Sequence, residues 1–571
     1  MGYQSFKAAV YSPVRQLRLE RDMDSIIEDF AKLRHHVDFA KVYIETYRST
    51  RLLERERALE LKAFFEGEGV EVSGGITLTG KHRRENPLQT GFGTYCYTSK
   101  ESQDEIRSAV RFTAEIFDEI IFDDFFFTSC KCAECVAAKG DRSWSDYRIS
   151  LLDGISRECI IAPAKEVNPN VSLIIKYPNW YDHYHSTGYD LEDRPKLFEQ
   201  VYAGTETRDP LYNPQNLQPY LSYFIMRYLE NVKPGKNLGG WFDKINCNGN
   251  LNYYLNQVDM TLLSKPREVA LFAGNDMVDT PFAPLAGYGL SRGDRVLPQL
   301  GNPIGISCYR PFHSSGEGFL YDYMGMLGIP LEPTPTFQTG EGMVVLTANS
   351  AKDPLIVDKI KDHLSGGGNI LATSGLVSAL AGKGIEDVAL IRIAERSRSV
   401  RRFTAFGGNL SGAGVFEAGE DVTIQAMQYS TNDSWPLISG LGSDSSFPLL
   451  LQTEYGAGAF MVLSVPLDYG MLYHLPVEVL RALRRIVCGD MQVVLDAEAR
   501  VALFVYDNGT VVVRSSLPYD TTISLMVKQD GAKLTDLESG RVFEGCAERG
   551  ETSISLSLPA QTYRAFRVEG A

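Results

Sequence analysis

Two adjacent carboxylates followed by three closely spaced thiols, in the stretch FDDFFFTSCKCAEC (122–135), set two kinds of chemistry side by side. Cys130, Cys132 and Cys135 offer three thiolates within one short loop, and a four-coordinate zinc site needs one more ligand. Cys96, in TYCYTSKES, is the best candidate for it, and the competing reading is a set of reduced thiols without metal. A closed, thiolate-rich centre of this kind is structural rather than catalytic. The other five cysteines stand singly, so the nine together do not read as a disulfide framework. Asp123 and Asp124 are the candidates for acid–base or nucleophilic work. Strand alternation lets only one of them face inward; Asp124 is preferred, with Asp123 left to cap or orient, and the opposite parity is the alternative.

The elements that must position these groups are legible as a repeat. From Phe6 to about Val278, short apolar runs (FKAAVY, FAKVYIET, VEVSGGITL, EIIFDDFFF, VSLIIKY, QVYAGTE, LGGWFDKI and EVALFAG) alternate with amphipathic stretches such as MDSIIEDFAKLRHHV and QDEIRSAVRFTAEIF. Continuous apolar character suits strands buried on both faces, as in a parallel sheet. Eight strand–helix units in roughly 300 residues are the arithmetic of a (β/α)8 TIM barrel. A doubly wound open sheet is the alternative. Residues 301–489 read as a second, three-layer α/β domain with Gly-rich turns, as in HLSGGGNILAT. Residues 490–571 read as a small antiparallel β domain, a β-sandwich of short strands with turns at DNG and DGA.

In a (β/α)8 barrel the working groups stand at the C-terminal ends of the strands. Those positions hold Ser12 and Arg15 after strand one, Glu45 and Tyr47 after strand two, and His82 and Arg83 after strand three. Asp123 and Asp124 follow strand four; Trp180, Tyr181, His183 and His185 follow strand five. Glu206, Arg208 and Asp209 follow strand six, Trp241 and Asp243 strand seven, and Asn275 and Asp276 strand eight. Carboxylates, aromatic rings and histidines around one mouth suit a sugar: rings stack on its apolar face, and two carboxyls act on the glycosidic bond. The preferred catalytic pair is Asp124 and Glu206, with Asp123 and Asp243 in reserve. Arg15, Glu45, Tyr47, Trp180, Tyr181, His183, His185, Arg208, Trp241 and Asn275 are the candidate substrate contacts. Each has a plainer reading. A lone Asp at a strand end is commonly a helix cap, and Glu206 beside Arg208 reads equally as a salt bridge. His183 and His185 on a strand would face one side and suit a metal, but no third ligand has a clear spacing.

A formal net charge of −15 argues against nucleic-acid or anionic-membrane partners, whose phosphates it would repel. No run of eighteen apolar residues offers a membrane span. MGYQSFKAAVYSPVRQLRLERDMDS has no basic start followed by an apolar core, so a cytoplasmic location is expected.

At this point the chain resembles the glycoside hydrolase family 42 β-galactosidases, and the likeness covers essentially all of it. That family has a catalytic (β/α)8 barrel, a trimerisation domain resembling a flavodoxin-like glutamine amidotransferase, and a small C-terminal β domain. Its zinc cluster, one upstream Cys and a Cys-x-Cys-x-x-Cys run after strand four, matches Cys96, Cys130, Cys132 and Cys135. CAECVAAKGDRSWSDYRISLL resembles the segment that follows that cluster. The resemblance implies structural zinc, no cofactor in catalysis, a carbohydrate substrate and a homo-oligomer, dimer or trimer. The chain departs from the family where Asn-Glu ends strand four, since Asp123-Asp124 stands there, and at the strand-seven nucleophile, where Asp243 is nearest. An Asp at the end of strand four is also the nucleophile position of several α-glycosidase clans, with an acid/base near strand six, where Glu206 and Asp209 stand. The expectation is therefore a glycoside hydrolase removing a terminal sugar by a two-carboxylate mechanism. The alternatives are a non-catalytic carbohydrate-binding protein on the same scaffold and a metal-dependent hydrolase using His183 and His185.

Overall fold

The computed structural model describes residues 2–79, 93–405 and 414–570. The chain divides into two compact units, one of residues 1–217 and 221–297, the other of residues 218–220 and 298–571.

Eight parallel strands close the first unit: β1 (Lys7–Ser12), β2 (Lys41–Arg48), β3 (Glu71–Thr77), β4 (Glu119–Phe122), β5 (Ser172–Tyr177), β6 (Gln200–Gly204), β7 (Asn237–Phe242) and β8 (Glu268–Phe272). Each pairs with the next, and β1 pairs with both β2 and β8, so the sheet is a closed barrel rather than an open doubly wound sheet. A two-residue return strand, Arg51–Leu52, is added antiparallel beyond β2. The helices are amphipathic: α1 (Met23–Arg34) buries Ile26, Phe30 and Leu33, at the three-and-four spacing of one face. The barrel interior is filled by Ala9, Tyr11, Tyr43, Ile121, Ile174, Tyr202, Trp241 and Ala270. A Cβ at Gly75 would meet the Tyr11 ring at 2.7 Å, so glycine makes room for that ring. Successive side chains on a strand alternate faces, and one step of two residues beyond this layer brings Glu45, Asp123, Lys176 and Asp243 to the C-terminal mouth.

After a two-residue strand, Pro303–Ile304, that pairs antiparallel with residues 505–506, the second unit has four strands in parallel pairing, β9 (Ile306–Tyr309), β10 (Leu331–Thr334), β11 (Met343–Leu346) and β12 (Asn369–Thr373). Five longer strands follow: β13 (Ile391–Ala405), β14 (Phe416–Tyr429), β15 (Ser434–Leu441), β16 (Ser446–Tyr455) and β17 (Gly458–Leu463). β17 returns parallel to β12, and the rest complete a nine-stranded sheet in antiparallel pairing. Beyond it, a six-stranded and a four-stranded antiparallel sheet share one core, in which Leu503, Val513 and Phe566 of one meet Leu495, Leu525 and Ile554 of the other. The TIM barrel and the antiparallel β-sandwich are the expected ones; between them the expected α/β domain is present, but its parallel strands continue into an antiparallel extension, β13–β16, that the strand–helix alternation did not announce. No helix among the described residues is long and apolar enough to cross a membrane.

Candidate active site and thiolate centre

The mouth of the barrel is organised around Lys176, which the sequence reading did not select. It sits on β5, two residues beyond Ile174 of the barrel core, and is buried. Its Nζ donates to Asp124 Oδ2 at 2.6 Å and to Glu206 Oε1 at 2.8 Å, and lies 3.4 Å from Asp123 Oδ1. The same ammonium stands 4.3 Å from the centre of the Trp241 ring. The signal that could have found it was one charged residue within the apolar run VSLIIKY.

A second cation closes the network. Arg48 donates through Nε to Glu45 Oε1 at 2.7 Å and through Nη2 to Asp123 Oδ2 at 3.0 Å. Glu45 also accepts from Tyr11 (2.8 Å), Thr77 (2.6 Å) and the Val14 N–H (2.7 Å). Both its oxygens are thus engaged, and it is fully buried beneath the mouth. Arg208 grips Asp243 with two bonds, Nε to Oδ1 at 3.1 Å and Nη2 to Oδ2 at 2.6 Å.

These contacts set the charges. Burial pushes the Asp124 carboxyl up to about 7; Lys176 opposes this, while the charges of Asp123 and Glu206 add to it. Burial raises Glu206 too, against the pull of Lys176 and with Asp243 adding to the rise. At Asp123 burial is outweighed by Lys176, Arg48 and the Asp124 N–H, which hold the carboxyl below the ordinary value. Asp124 is the most open of the three, its side chain 12 % exposed against 3 % for Asp123 and Glu206. The second oxygen of Glu206, Oε2, is buried with no hydrogen-bond partner among the described residues, a costly state for a carboxylate.

Several expected positions turn out otherwise. Asp123 and Asp124 both reach Lys176, contrary to the strand-parity argument that only one could point inward. Asp123 keeps the inward phase of Ile121, and because β4 ends at Phe122 the turn that begins at Asp124 brings the second carboxylate to the same lysine. Trp241 is not an open platform: it is 1 % exposed, packed against Tyr11 at 4.4 Å and Phe272 at 5.4 Å, and serves as the seat of Lys176. Tyr181 is fully buried and stacks on Phe224, and Tyr47 turns to Tyr95 and Glu105. His183 pairs with Asp182 at 2.6 Å in a helical turn, and His185 lies in the next turn. The two do not share a strand face, and the only cluster of metal-ligating side chains among the described residues is the thiolate one. Arg15 pairs with Asp276 at 2.5 Å, and Asn275 accepts from Ser12 at 2.9 Å. Trp180 is partly exposed and lies edge-on to Phe127. His82 and Arg83 lie outside the described residues.

Past the Asp pair the same loop builds the thiolate centre. Cys132 precedes the short helix α2 (Ala133–Lys139), which carries Cys135, and Cys96 arrives from the β3–β4 connection. The four sulfurs lie within 4.8 Å of one another, with Cys96 Sγ 3.7 Å from Cys132 and 3.6 Å from Cys135. Tetrahedral Zn–S bonds of about 2.3 Å separate sulfurs by roughly 3.8 Å, so the set fits a four-thiolate ion, whereas a disulfide needs about 2.05 Å. Tyr147, Trp144 and Leu151 pack beside it, and Thr98 bonds both Cys135 (3.1 Å) and Tyr147 (2.6 Å).

With this geometry in place, the likenesses to known proteins fall into one pattern. Residues 1–286 match the family model described as "Probable glycosyl hydrolase, catalytic domain", and residues 492–568 match "Probable glycosyl hydrolase, C-terminal domain". Residues 301–468 match the second domain of the uncharacterized protein SSO3021. The whole of that protein, from Saccharolobus solfataricus, is 24 % identical over 615 residues, covering 99 % of this chain and 100 % of its own. Among solved structures, the β-galactosidase of Rahnella sp. R3 superposes with a TM-score of 0.65 at 12 % identity over 98 % of both chains. A GH42 β-galactosidase from G. stearothermophilus does so with 0.65 at 10 % identity over 99 % of both. At such identities these two speak for the shared fold alone. The catalytic-domain match spans half of the chain, and by it the chain belongs to the family of probable glycosyl hydrolases.

Proposed function

We propose that the protein is a glycosidase that removes a terminal sugar from an oligosaccharide or glycoconjugate, with Asp124 as acid/base and Glu206 as nucleophile. The observation that carries this is the shared contact with Lys176. Oxygens of Asp124 and Glu206 lie 2.6 and 2.8 Å from one nitrogen, so they stand no more than about 5.4 Å apart. Retaining glycosidases space their carboxyls by about 5–5.5 Å and inverting ones by about 6.5–9.5 Å; that ceiling, for the two oxygens that face the lysine, leaves no gap between them of the inverting size, and we read the pair as retaining. Asp124, held near 7, keeps its proton at neutral pH and can give it to the leaving oxygen. Glu206, one oxygen of which has no partner among the described residues, attacks the anomeric carbon.

Cys96, Cys130, Cys132 and Cys135 would hold zinc, which supplies no step of the reaction. Bound by these four thiolates, it would tie the loop that carries Asp123 and Asp124 to the β3–β4 connection. The division at residues 300 and 489 into catalytic, trimerisation-type and β-sandwich domains, and a dimer or trimer, belong to the same proposal. Sedimentation tests the last.

The second reading, a carbohydrate-binding protein without turnover, draws on the burial of Glu206 and on the internal pairing of Asp243 where the resembling family has its nucleophile. Aryl glycosides of several sugars, in both anomers, separate the two. Turnover of at least one by the wild type, lost in Asp124→Asn, is expected. Binding across the panel with no turnover by the wild type would establish the second reading.

A further inference from the structure

The charges around Lys176 nearly balance, and the imbalance falls on the reacting pair. Asp123 and Asp124 face its ammonium from the β4 loop, Glu206 from the end of β6, and the Trp241 ring from β7. Behind Asp123 stand Arg48 and Glu45 of β2; beside Glu206 stand Arg208 and Asp243. Arg208 offsets Asp243. Arg48 bonds Glu45 and Asp123, and Lys176 is the cation nearest to Asp124 and Glu206, so that three cations in all face five carboxylates. With Asp124 and Glu206 both ionised the site would hold two negative charges in excess, which burial makes very costly. One proton shared between them leaves a single negative charge, and the Lys176 hydrogen bonds reach both places where it can reside.

We propose that Lys176 is a positioning residue that holds this one charge in common to Asp124 and Glu206, passing its ion pair from one carboxylate to the other as the reaction turns over. The proposal rests on reading these two as the reacting pair. In the first step a Glu206 oxygen forms a bond to the anomeric carbon as the glycosidic C–O bond breaks. The electron pair of that bond goes to the leaving oxygen, which takes the proton of Asp124. Glu206 is now a neutral ester and Asp124 an anion, so the charge has moved from the 2.8 Å partner of Lys176 to its 2.6 Å partner. In the second step water attacks the anomeric carbon and gives a proton to Asp124. The ester C–O bond breaks with its electrons returning to Glu206, and the ion pair returns with them. A lysine suits this role because its ammonium is a point charge with three donors that can serve both carboxylates in turn. The Trp241 face beneath keeps it in place without a competing hydrogen bond.

The test uses Lys176→Met, with Lys176→Gln as a second uncharged variant should the first not accumulate folded, and Lys176→Arg to keep the charge. Two readouts are taken on the full chain. One is the pH profile of kcat/KM on the best aryl glycoside. The other is the pH midpoint for carbodiimide labelling of Asp124, which needs the protonated carboxyl and is read by mass spectrometry whether or not the protein turns over. Removing the positive charge is expected to move both limbs of the profile and the labelling midpoint up by at least one pH unit, while Lys176→Arg stays within half a unit of wild type. An unchanged midpoint in a folded, uncharged variant would overturn the proposal. Wild-type protein that hydrolyses no glycoside would instead overturn the functional reading, with the labelling midpoint still deciding the role of the lysine.

Discussion

Arg208 holds Asp243 through both carboxylate oxygens, at 3.1 and 2.6 Å, and Asp243 is buried. An attacking carboxylate needs a free oxygen, and Asp243 has none. Asp243→Asn should therefore act mainly on the fold, since breaking one side of a buried pair costs about 3–5 kcal/mol. Residual turnover in the folded fraction should stay within about tenfold of wild type. Glu206→Ala should lose turnover by orders of magnitude and form a glycosyl azide when azide is added. A glycosyl azide from an Asp243→Ala variant instead would move the nucleophile to strand seven.

Asp124 works at the expense of stability. Its folded value of about 7 stands above the ordinary 3.8. Such a raised group destabilises the fold progressively as pH climbs from about 4 to 7, and the cost is complete above that. Asp124→Asn removes the titration, so its Tm relative to wild type should rise with pH through that window. The gain should be on the order of 1–4 kcal/mol at pH 8 and vanish near pH 4. Turnover should fall by about 10²–10⁴, the usual worth of a general acid. Calorimetry and kinetics at pH 4 and 8 check both signs.

The same value predicts where activity declines. For a substrate whose leaving group needs a proton, kcat/KM should drop above about pH 7 as Asp124 ionises. With a leaving group acidic enough to depart unaided, that alkaline limb should disappear. Persistence of the limb in both would assign it to another group.

Gly204 stands under Glu206. A Cβ there would come within 2.6 Å of Glu206 Oε2 and 3.2 Å of the Pro178 Cα, so the carboxylate must yield. Gly204→Ala should lower kcat by about 10²-fold, the cost of misplacing a reacting group by roughly an ångström, with a much smaller change in Tm. A loss confined to KM would show that Glu206 serves binding alone.

The thiolate centre should carry one zinc per chain by elemental analysis. Cys132→Ser, or prolonged chelation, should lower Tm by several degrees, because metal binding free energy contributes to folding. Activity should fall with the folded fraction and not ahead of it. Immediate loss of turnover on chelation, before any unfolding, would make the metal a participant.

Periodicity in this sequence was enough for the eight strands, the amphipathic helices and the β-rich end, because burial on two faces, on one stripe or on alternate residues leaves its mark locally. The cysteine spacing likewise announced its centre, since three of four ligands fall within six residues. What remained for the tertiary structure was direction. Asp123 and Asp124 turn to the same lysine because their strand stops one residue earlier, and strand ends are set by neighbours rather than by the residues themselves. Trp241 looked like a sugar platform from its place at a strand end, but barrel closure packs Tyr11 and Phe272 against it. Lys176 drew no notice as one charge in an apolar strand. Its meaning depends on carboxylates from β4 and β6 converging on one point, and only the closed barrel brings them there.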